Sequence, residues 1–136
     1  MTQLSTLLGN SAGPCHTFKD GEREYKVSFL TQAVKAAFEK WIKAEALETL
    51  KDLRTILSPD EWKDTVQDLT SDFATKKYAF HGEVCQKAML SPAGSLKLAS
   101  LLFGIGDEEM IRLASQYPSE IQLVLEKVLK ESAPNG

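Results

Sequence analysis

The sequence predicts a mostly α-helical fold, with an N-terminal β-hairpin packed on a small bundle of about five helices. Three observations predict this class. An Asp-Gly pair at Asp20-Gly21 separates two short segments that alternate in polarity. From Thr31 onwards, apolar residues recur every three to five positions, which is the period of an amphipathic helix. Serine-proline pairs at Ser58 and Ser91 then mark two further helix starts.

The composition is that of one globular domain. The chain has 136 residues, of which 43% are hydrophobic and 26% are charged. A chain of this size buries a core without disulfides or a structural metal. We expect a flexible or docking arm over residues 1–14, a single helical domain with its hairpin over 15–131, and a polar tail over 132–136.

Charge and hydropathy weigh against several classes of function. The formal net charge is −3, which disfavours binding of nucleic acid through the overall field. The longest apolar run, Leu101-Leu102-Phe103, is far shorter than the roughly 20 residues of a membrane-spanning helix. No signal peptide is visible, and two cysteines make no disulfide scaffold. We therefore expect a cytoplasmic protein without membrane or nucleic-acid partners.

The arm carries Leu4, Leu7 and Leu8 ahead of a segment rich in glycine and proline. Such an arm either frays or docks, on its own domain or on a partner. These three leucines are therefore candidate partner-binding residues.

The hairpin presents one apolar face. A two-residue type I′ turn at Asp20-Gly21 would place Phe18 opposite Arg23 and His16 opposite Tyr25. The alternation puts His16, Phe18, Tyr25 and Val27 on one side of the sheet. If the domain does not cover this face itself, Phe18, Tyr25 and Val27 are candidate partner-binding residues.

Two long helical segments follow. The first begins at an N-cap on Thr31 and runs about 26 residues to Leu57, with Phe38 and Trp41 on its apolar side. The second begins at Ser58, where Glu61 completes a capping box. Its apolar stripe consists of Trp62, Val66, Leu69 and Phe73. Residues 70–90 form either one helix kinked at Gly82 or two helices, and the pattern does not decide between them.

The C-terminal third reads as three shorter helices. The first follows the Ser91-Pro92 pair and stops at Gly104 and Gly106. We expect Asp107 to cap the next, which ends at Tyr117-Pro118, and Ser119 to cap the last. Inward-facing residues are predicted to be Met110, Ile111, Ala114, Ile121, Val124, Leu125 and Val128.

No catalytic motif stands out. Cys15, His16, His81 and Cys85 are the residue types of a zinc site, and His81 and Cys85 share a helix face. Cys15 and His16 are adjacent, however, and adjacent strand residues point to opposite faces. We therefore predict no catalytic residue, no cofactor and no metal, and keep a Cys/His metal site as the lowest alternative. Trp41 and Trp62 lie on apolar stripes, which favours core packing over ligand stacking.

The order of elements resembles the small tail-assembly chaperones of long-tailed bacteriophages and prophages. The resemblance covers residues 17–129. It includes the Tyr25-Lys26-Val27 strand, the spacing of Phe38 and Trp41, the Ser58-Pro59-Asp60-Glu61 helix start, the aromatic segment 78–82, the Ser91-Pro92-Ala93-Gly94 turn and the leucine-rich stretch 96–103.

This resemblance implies a non-enzymatic assembly protein. Its partners would be tape-measure or tail-tube subunits, which it would keep soluble in the host cytoplasm until they polymerise. The apolar arm suits a different member of the same particle, a connector or tail-completion subunit retained in the virion, and this alternative stays open. A homo-oligomer is also open.

Overall fold

Two strands and six helices follow one another along the chain. A computed structural model describes residues 16–132, of which 69% are helical. The fold class predicted from the sequence, mostly α with an N-terminal β-hairpin, is confirmed. The predicted arm with Leu4, Leu7 and Leu8, together with Cys15 and residues 133–136, lies outside the described residues. The elements are β1 His16–Asp20, β2 Arg23–Val27, α1 Gln32–Leu53, α2 Pro59–Ala74, α3 Glu83–Ala88, α4 Pro92–Phe103, α5 Asp107–Gln116 and α6 Pro118–Ser132.

The described chain divides into two compact units. Residues 16–34 and 96–132 form the terminal unit, and Lys35–Ser95 forms the central unit. Both boundaries fall within helices, one in α1 and one in α4. No linker composition marks them, which is why the sequence reads as a single domain.

The hairpin has a register two residues away from the predicted one. Phe18 lies opposite Tyr25 and His16 opposite Val27, so the predicted pairs are wrong. The turn is Gly21-Glu22, and Gly21 has a φ of 63° while Glu22 keeps a negative φ. Glycine at the first central position alone is the pattern of a type II′ turn, whereas type I′ needs positive φ at both. A shift of two residues preserves the faces, so the predicted apolar face is the observed one.

The terminal unit buries that face against its own helices. Phe18 makes edge contacts with Phe103 and Tyr117, with ring centroids 5.7 and 5.4 Å apart. The backbone N–H of Ser28 donates to the carbonyl of Leu102 at 2.9 Å, which ties the end of β2 to α4. The hairpin is thus part of the core of this unit, whose fully buried side chains include Val27, Leu102, Met110, Leu113 and Val128.

Helix starts in the terminal unit are displaced by one residue from the prediction. Asp107 is the first residue of α5, and Gly106 holds the N-cap position without a side-chain bond. Likewise α6 begins at Pro118, so Ser119 is its second residue. Both predicted caps are therefore wrong. Ile111, predicted to face inward, is 48% exposed, because the stripe of α5 passes through Met110 and Leu113.

Capping predictions hold for the long helices. The backbone N–H of Val34 donates to Thr31 Oγ1 at 3.2 Å. At the start of α2, Ser58 and Glu61 form both bonds of a capping box, 2.9 and 3.2 Å long. Helix α1 ends at Leu53, four residues before the predicted end, because the N–H groups of Ile56 and Leu57 both turn back to the carbonyl of Leu53.

Residues 70–90 contain two helices. Helix α2 ends with Lys76 in the left-handed region, at a φ of 63°. The N–H groups of Lys76 and Lys77 donate to the carbonyls of Phe73 and Asp72 at 3.2 and 3.0 Å. These bonds are the pair that defines a Schellman motif. Glycine is the usual residue at this position, so a lysine there gives the sequence no stop signal.

Gly94 allows the N-terminus of α4 to touch the preceding turn. Ser91 Oγ accepts from the N–H of Gly94 at 3.0 Å and donates to the carbonyl of Ala88 at 2.7 Å. A Cβ atom on Gly94 would lie 1.9 Å from the Ala88 carbonyl oxygen. The contact is backbone against backbone, so no side-chain rotation can relieve it.

We expect Gly94→Ala to lower the free energy of unfolding by about 1–3 kcal/mol, the usual cost of overpacking. Urea denaturation followed by circular dichroism measures it. Gly106→Ala is the matched control, because a Cβ there meets nothing within 4 Å. It should change stability by less than about 1 kcal/mol. Equal effects of the two substitutions would contradict the close approach.

Candidate protein-interaction surface

The predicted patch on the hairpin is covered by its own unit. Phe18 is 6% exposed and Val27 is fully buried. Tyr25 is half-buried, and its hydroxyl donates to Glu109 Oε2 at 2.5 Å. Phe18, Tyr25 and Val27 are candidates only if the domain leaves this face uncovered, and that condition is not met.

A polar network surrounds Tyr25 on the surface of the terminal unit. Arg23 Nη1 lies 3.2 Å from Glu109 Oε2, and Arg112 Nη2 donates to the Tyr25 hydroxyl at 3.3 Å. These side chains border a shallow depression of about 270 Å³ that is lined by Arg23, Glu24, Tyr25 and Glu109. Because both arginines already face carboxylates, the network joins the hairpin to α5 and offers no unpaired cation to a ligand.

Asp20 and Tyr117 form the second part of this network. The Tyr117 hydroxyl donates to Asp20 Oδ1 at 2.7 Å, and Arg112 Nη1 lies 3.2 Å from Asp20 Oδ2. The bond from Tyr117, with the guanidinium of Arg112, holds the pKa of Asp20 below its usual value. The same bond raises the pKa of Tyr117.

The residues of the predicted alternative zinc site make other contacts. His16 Nε2 lies 3.0 Å from Glu131 Oε1, and His81 makes an edge contact with Phe80. Cys85 is fully buried, and its Sγ donates to the Tyr78 carbonyl at 3.4 Å. Burial raises the pKa of Cys85 to about 11, so its thiol is neutral at physiological pH and unsuited to attack as a thiolate. Among residues 16–132, no three His, Cys, Asp or Glu side chains are grouped to hold a metal ion.

The central unit contains a long stretch without any buried residue. Its buried side chains are Phe38, Ile42, Phe80 and Cys85. Within the described structure, no residue from 43 to 79 is buried. This stretch includes the second half of α1 and all of α2. Helix α2 is strongly amphipathic in sequence, yet every residue of its apolar stripe is only half-buried.

The two helices of this stretch run antiparallel. Arg54, just after α1, places its guanidinium over the ring of Trp62 at 5.6 Å. At the other end, Lys43 Nζ lies 5.8 Å from the ring centroid of Phe73. Lys43, Leu47, Leu50 and Arg54 recur at steps of three and four, so they share the side of α1 that reaches α2. A single pair of helices therefore forms this end of the central unit.

Apolar side chains remain accessible along this pair. Leu47 is 50% exposed on α1, and Ile56 is 74% exposed in the turn that joins the helices. The stripe of α2 adds four half-buried side chains. We call this set the helical-hairpin face: Leu47, Ile56, Trp62, Val66, Leu69 and Phe73.

Acidic residues line the side of α2 that lies away from its apolar stripe. Asp60, Asp64, Asp68 and Asp72 recur every fourth residue and so lie on one side of the helix. With Glu61 and Lys63, they give α2 a net charge of −4, in a chain whose total is −3. We call these four residues the acidic row.

Comparisons with known proteins add no relative. No protein-family model, curated protein or solved structure matches the chain. In the described part of the chain, no helix combines the length and the apolar character that crossing a membrane requires. The surfaces of residues 16–132 are therefore the basis for a functional proposal.

We expect Tyr117→Phe to lower the free energy of unfolding at pH 7, because Asp20 loses its hydrogen-bond donor. The bond lowers the folded-state pKa of Asp20. Its contribution is therefore present above the ordinary aspartate pKa of about 3.9 and is lost as pH falls through the lower folded-state pKa. Urea denaturation at about pH 7 and pH 2.5 should show the gap between wild type and variant shrinking at the lower pH.

Tyr78→Phe serves as the control for that comparison. Burial raises the pKa of Tyr78, and no hydrogen bond joins its hydroxyl to a carboxylate within residues 16–132. Its effect on stability should be equal at the two pH values. A gap for Tyr117→Phe that does not change with pH would show that Asp20 is not its partner.

Proposed function

We propose that this chain is a non-enzymatic assembly protein that binds another protein through the helical-hairpin face. The observation that carries the proposal is the run from residue 43 to 79, which contains two helices and no buried side chain. Amphipathic helices are stable when their apolar stripe is buried against another element. Among residues 16–132, Lys43, Arg54 and Tyr78 contact the rings of the α2 stripe, and its side chains are still only half-buried, so a further layer could cover them.

A partner helix or sheet would supply that layer. Full burial of a leucine, isoleucine or aromatic side chain is worth about 1.5–3 kcal/mol, and half-buried side chains gain part of that value. Six such residues form the face, so the gain on docking is large enough to support specific binding. Leu47, Ile56 and Trp62 lie towards the turn that joins the two helices, away from the buried residues of the central unit. They would be natural anchors for a partner.

The specific role we propose is that of a phage tail-assembly chaperone. The support is the resemblance noted above, in which the Ser58-Pro59-Asp60-Glu61 motif is the start of α2 itself. A chaperone of this kind would hold aggregation-prone tape-measure or tail-tube subunits by their apolar segments. An accessible apolar face suits that role.

Co-expression with phage tape-measure and tail-tube proteins tests the proposal. We expect Leu47→Lys with Ile56→Lys to reduce the recovery of soluble partner at least tenfold. Each substitution removes apolar contact and places a charge in the interface. Both residues are exposed, so the variant should fold, and its thermal unfolding would verify this.

The matched control uses Ile111→Lys with Leu123→Lys in the terminal unit. These residues are 48% and 63% exposed, much as Leu47 and Ile56 are. The control should leave partner recovery within about twofold of wild type, a difference near 0.4 kcal/mol. Equal losses in the two variants, or no loss in the first, would count against the helical-hairpin face. Mass spectrometry of purified particles separates the roles: a chaperone is absent or present in traces, whereas a structural subunit is stoichiometric.

A further inference from the structure

We infer that the outer edge of strand β2 binds the same edge of a second copy of this chain, so that two hairpins join into one four-stranded antiparallel sheet. This edge lies in the terminal unit, and the inference is independent of the function proposed for the helical-hairpin face. Three features of β2 lead to it: its outward backbone groups, its exposure, and the opposite charges of Glu24 and Lys26.

Backbone groups of β2 point away from β1 at every second residue. In an antiparallel hairpin, the two residues that flank a two-residue turn exchange backbone hydrogen bonds, and bonded pairs then alternate with non-bonded pairs. Asp20 lies opposite Arg23 across the turn, so Arg23 and Tyr25 are bonded positions of β2. The N–H and C=O groups of Glu24 and Lys26 therefore point outward. Within residues 16–132, no backbone hydrogen bond from outside the hairpin reaches them.

Strand β2 is the more open of the two strands. Three of its five residues are exposed, against two of the five in β1. The shallow depression at Tyr25 borders this strand, so there is free space beside it. Strand β1 instead packs against α6, where His16 Nε2 lies 3.0 Å from Glu131 Oε1. The edge that a further strand can reach is therefore that of β2.

The outer face of β2 carries an acid and a base that form no ion pair. Glu24 and Lys26 are two residues apart, so both side chains lie on the solvent-facing side of the sheet. Lys19 lies opposite Glu24, and Thr17 lies opposite Lys26. Among the described residues, however, neither Glu24 nor Lys26 belongs to an ion pair. Since Thr17 is uncharged, the hairpin places no acid opposite Lys26.

A two-fold axis at Tyr25 makes two such edges complementary. Antiparallel pairing about this residue places Glu24 opposite Lys26 of the second copy, and Lys26 opposite Glu24 of the second copy. These are the positions with outward backbone groups, so each pair exchanges both of its backbone hydrogen bonds. An axis at Glu24 or at Lys26 would place like charges opposite each other, which is destabilising. Charge therefore selects one register.

The same charges favour a second copy over an unrelated strand. A lysine on an edge strand discourages pairing with arbitrary strands. The edge accepts a strand that supplies an acid opposite Lys26 and a base opposite Glu24, and the copy supplies both. Tyr25, which is half-buried, would also meet its own counterpart across the axis, and aromatic cross-strand pairs stabilise sheets.

Sedimentation equilibrium of the full chain tests the inference. We expect a reversible dimer at about 100 μM in low salt, because a short strand edge makes a small interface. The dimer should weaken at about 0.5 M salt, since salt screens exposed charge pairs. Glu24→Lys and Lys26→Glu each place like charges opposite one another, so each should weaken the dimer about tenfold. Both positions are exposed, and circular dichroism would verify that the variants fold.

An equimolar mixture of the two variants restores opposite charges at both pairs. We expect the mixture to form a heterodimer within about twofold of the wild-type dimer in affinity, although each variant alone is weakened. Glu120→Lys and Lys127→Glu are the matched controls, because they make the same charge changes at exposed positions of α6. Each control should change the affinity by less than about twofold.

Three outcomes would overturn the inference. The first is a chain that stays monomeric at about 100 μM. The second is a dimer that tolerates both single substitutions, or a mixture that binds no more tightly than either variant alone. The third is a dimer that is lost in Leu47→Lys with Ile56→Lys but kept in Glu24→Lys, since the second copy would then sit on the helical-hairpin face. Recovery of the tail partner tests the proposed function separately.

Discussion

Three contacts hold Phe80 in place, and we call them the Phe80 clamp. They determine where the core of the central unit forms. The ring of Phe80 is buried and makes an edge contact with Phe38 at 5.9 Å. The backbone N–H of Phe80 donates to Glu39 Oε2 at 2.8 Å, and its carbonyl accepts from Gln86 Nε2 at 2.9 Å. Hydrogen bonds to an ionised carboxylate contribute about 1.5–3 kcal/mol each. The clamp therefore holds the segment after α2 firmly beside the first turns of α1. The core forms there, and the stripe of α2 beyond it is contacted by Lys43, by Arg54 and, at Phe73, by Tyr78.

In the terminal unit, the apolar face of the hairpin is covered by helices of the same unit. Its hairpin covers the apolar side of α4, and the polar rim of that contact is completed by Asp20, Arg112 and Tyr117. No buried side-chain polar atom lacks a partner within the described residues. The apolar face of the hairpin and the polar groups around it are thus satisfied inside the unit, although Ile111 and Leu123 on its helices are exposed. In the central unit the accessible apolar side chains include the stripe of a whole helix, α2.

Sequence patterns predict features that depend on adjacent residues, and they miss features that depend on packing against residues distant in the sequence. The caps at Thr31 and Ser58 depend on three or four adjacent residues and are predicted correctly, whereas those at Asp107 and Ser119 are displaced by one residue. The hairpin faces followed from period-two alternation, but its register did not, because Asp20-Gly21 and Gly21-Glu22 are both acceptable turns. The end of α2 was hidden because Lys76 adopts a conformation that usually belongs to glycine. Periodicity also shows which side of α2 is apolar, but not whether another element covers that side. For this reason the sequence does not predict the helical-hairpin face as a binding surface, and the hairpin residues are predicted instead.

The acidic row is a local cost that the isolated chain does not offset. Like charges four residues apart on a helix destabilise it by about 0.2–0.5 kcal/mol per pair. Asp60 lies in the first turn, where the helix dipole favours a carboxylate, but Asp72 lies in the last turns, where the dipole opposes it. Lys77 relieves only that final residue. The row lies on the side of α2 away from its apolar stripe, because Asp64 is two residues from both Trp62 and Val66 and so about 200° from them around the helix. A partner seated on the stripe would therefore leave these carboxylates in water, and the charge repulsion and the accessible apolar area are separate costs.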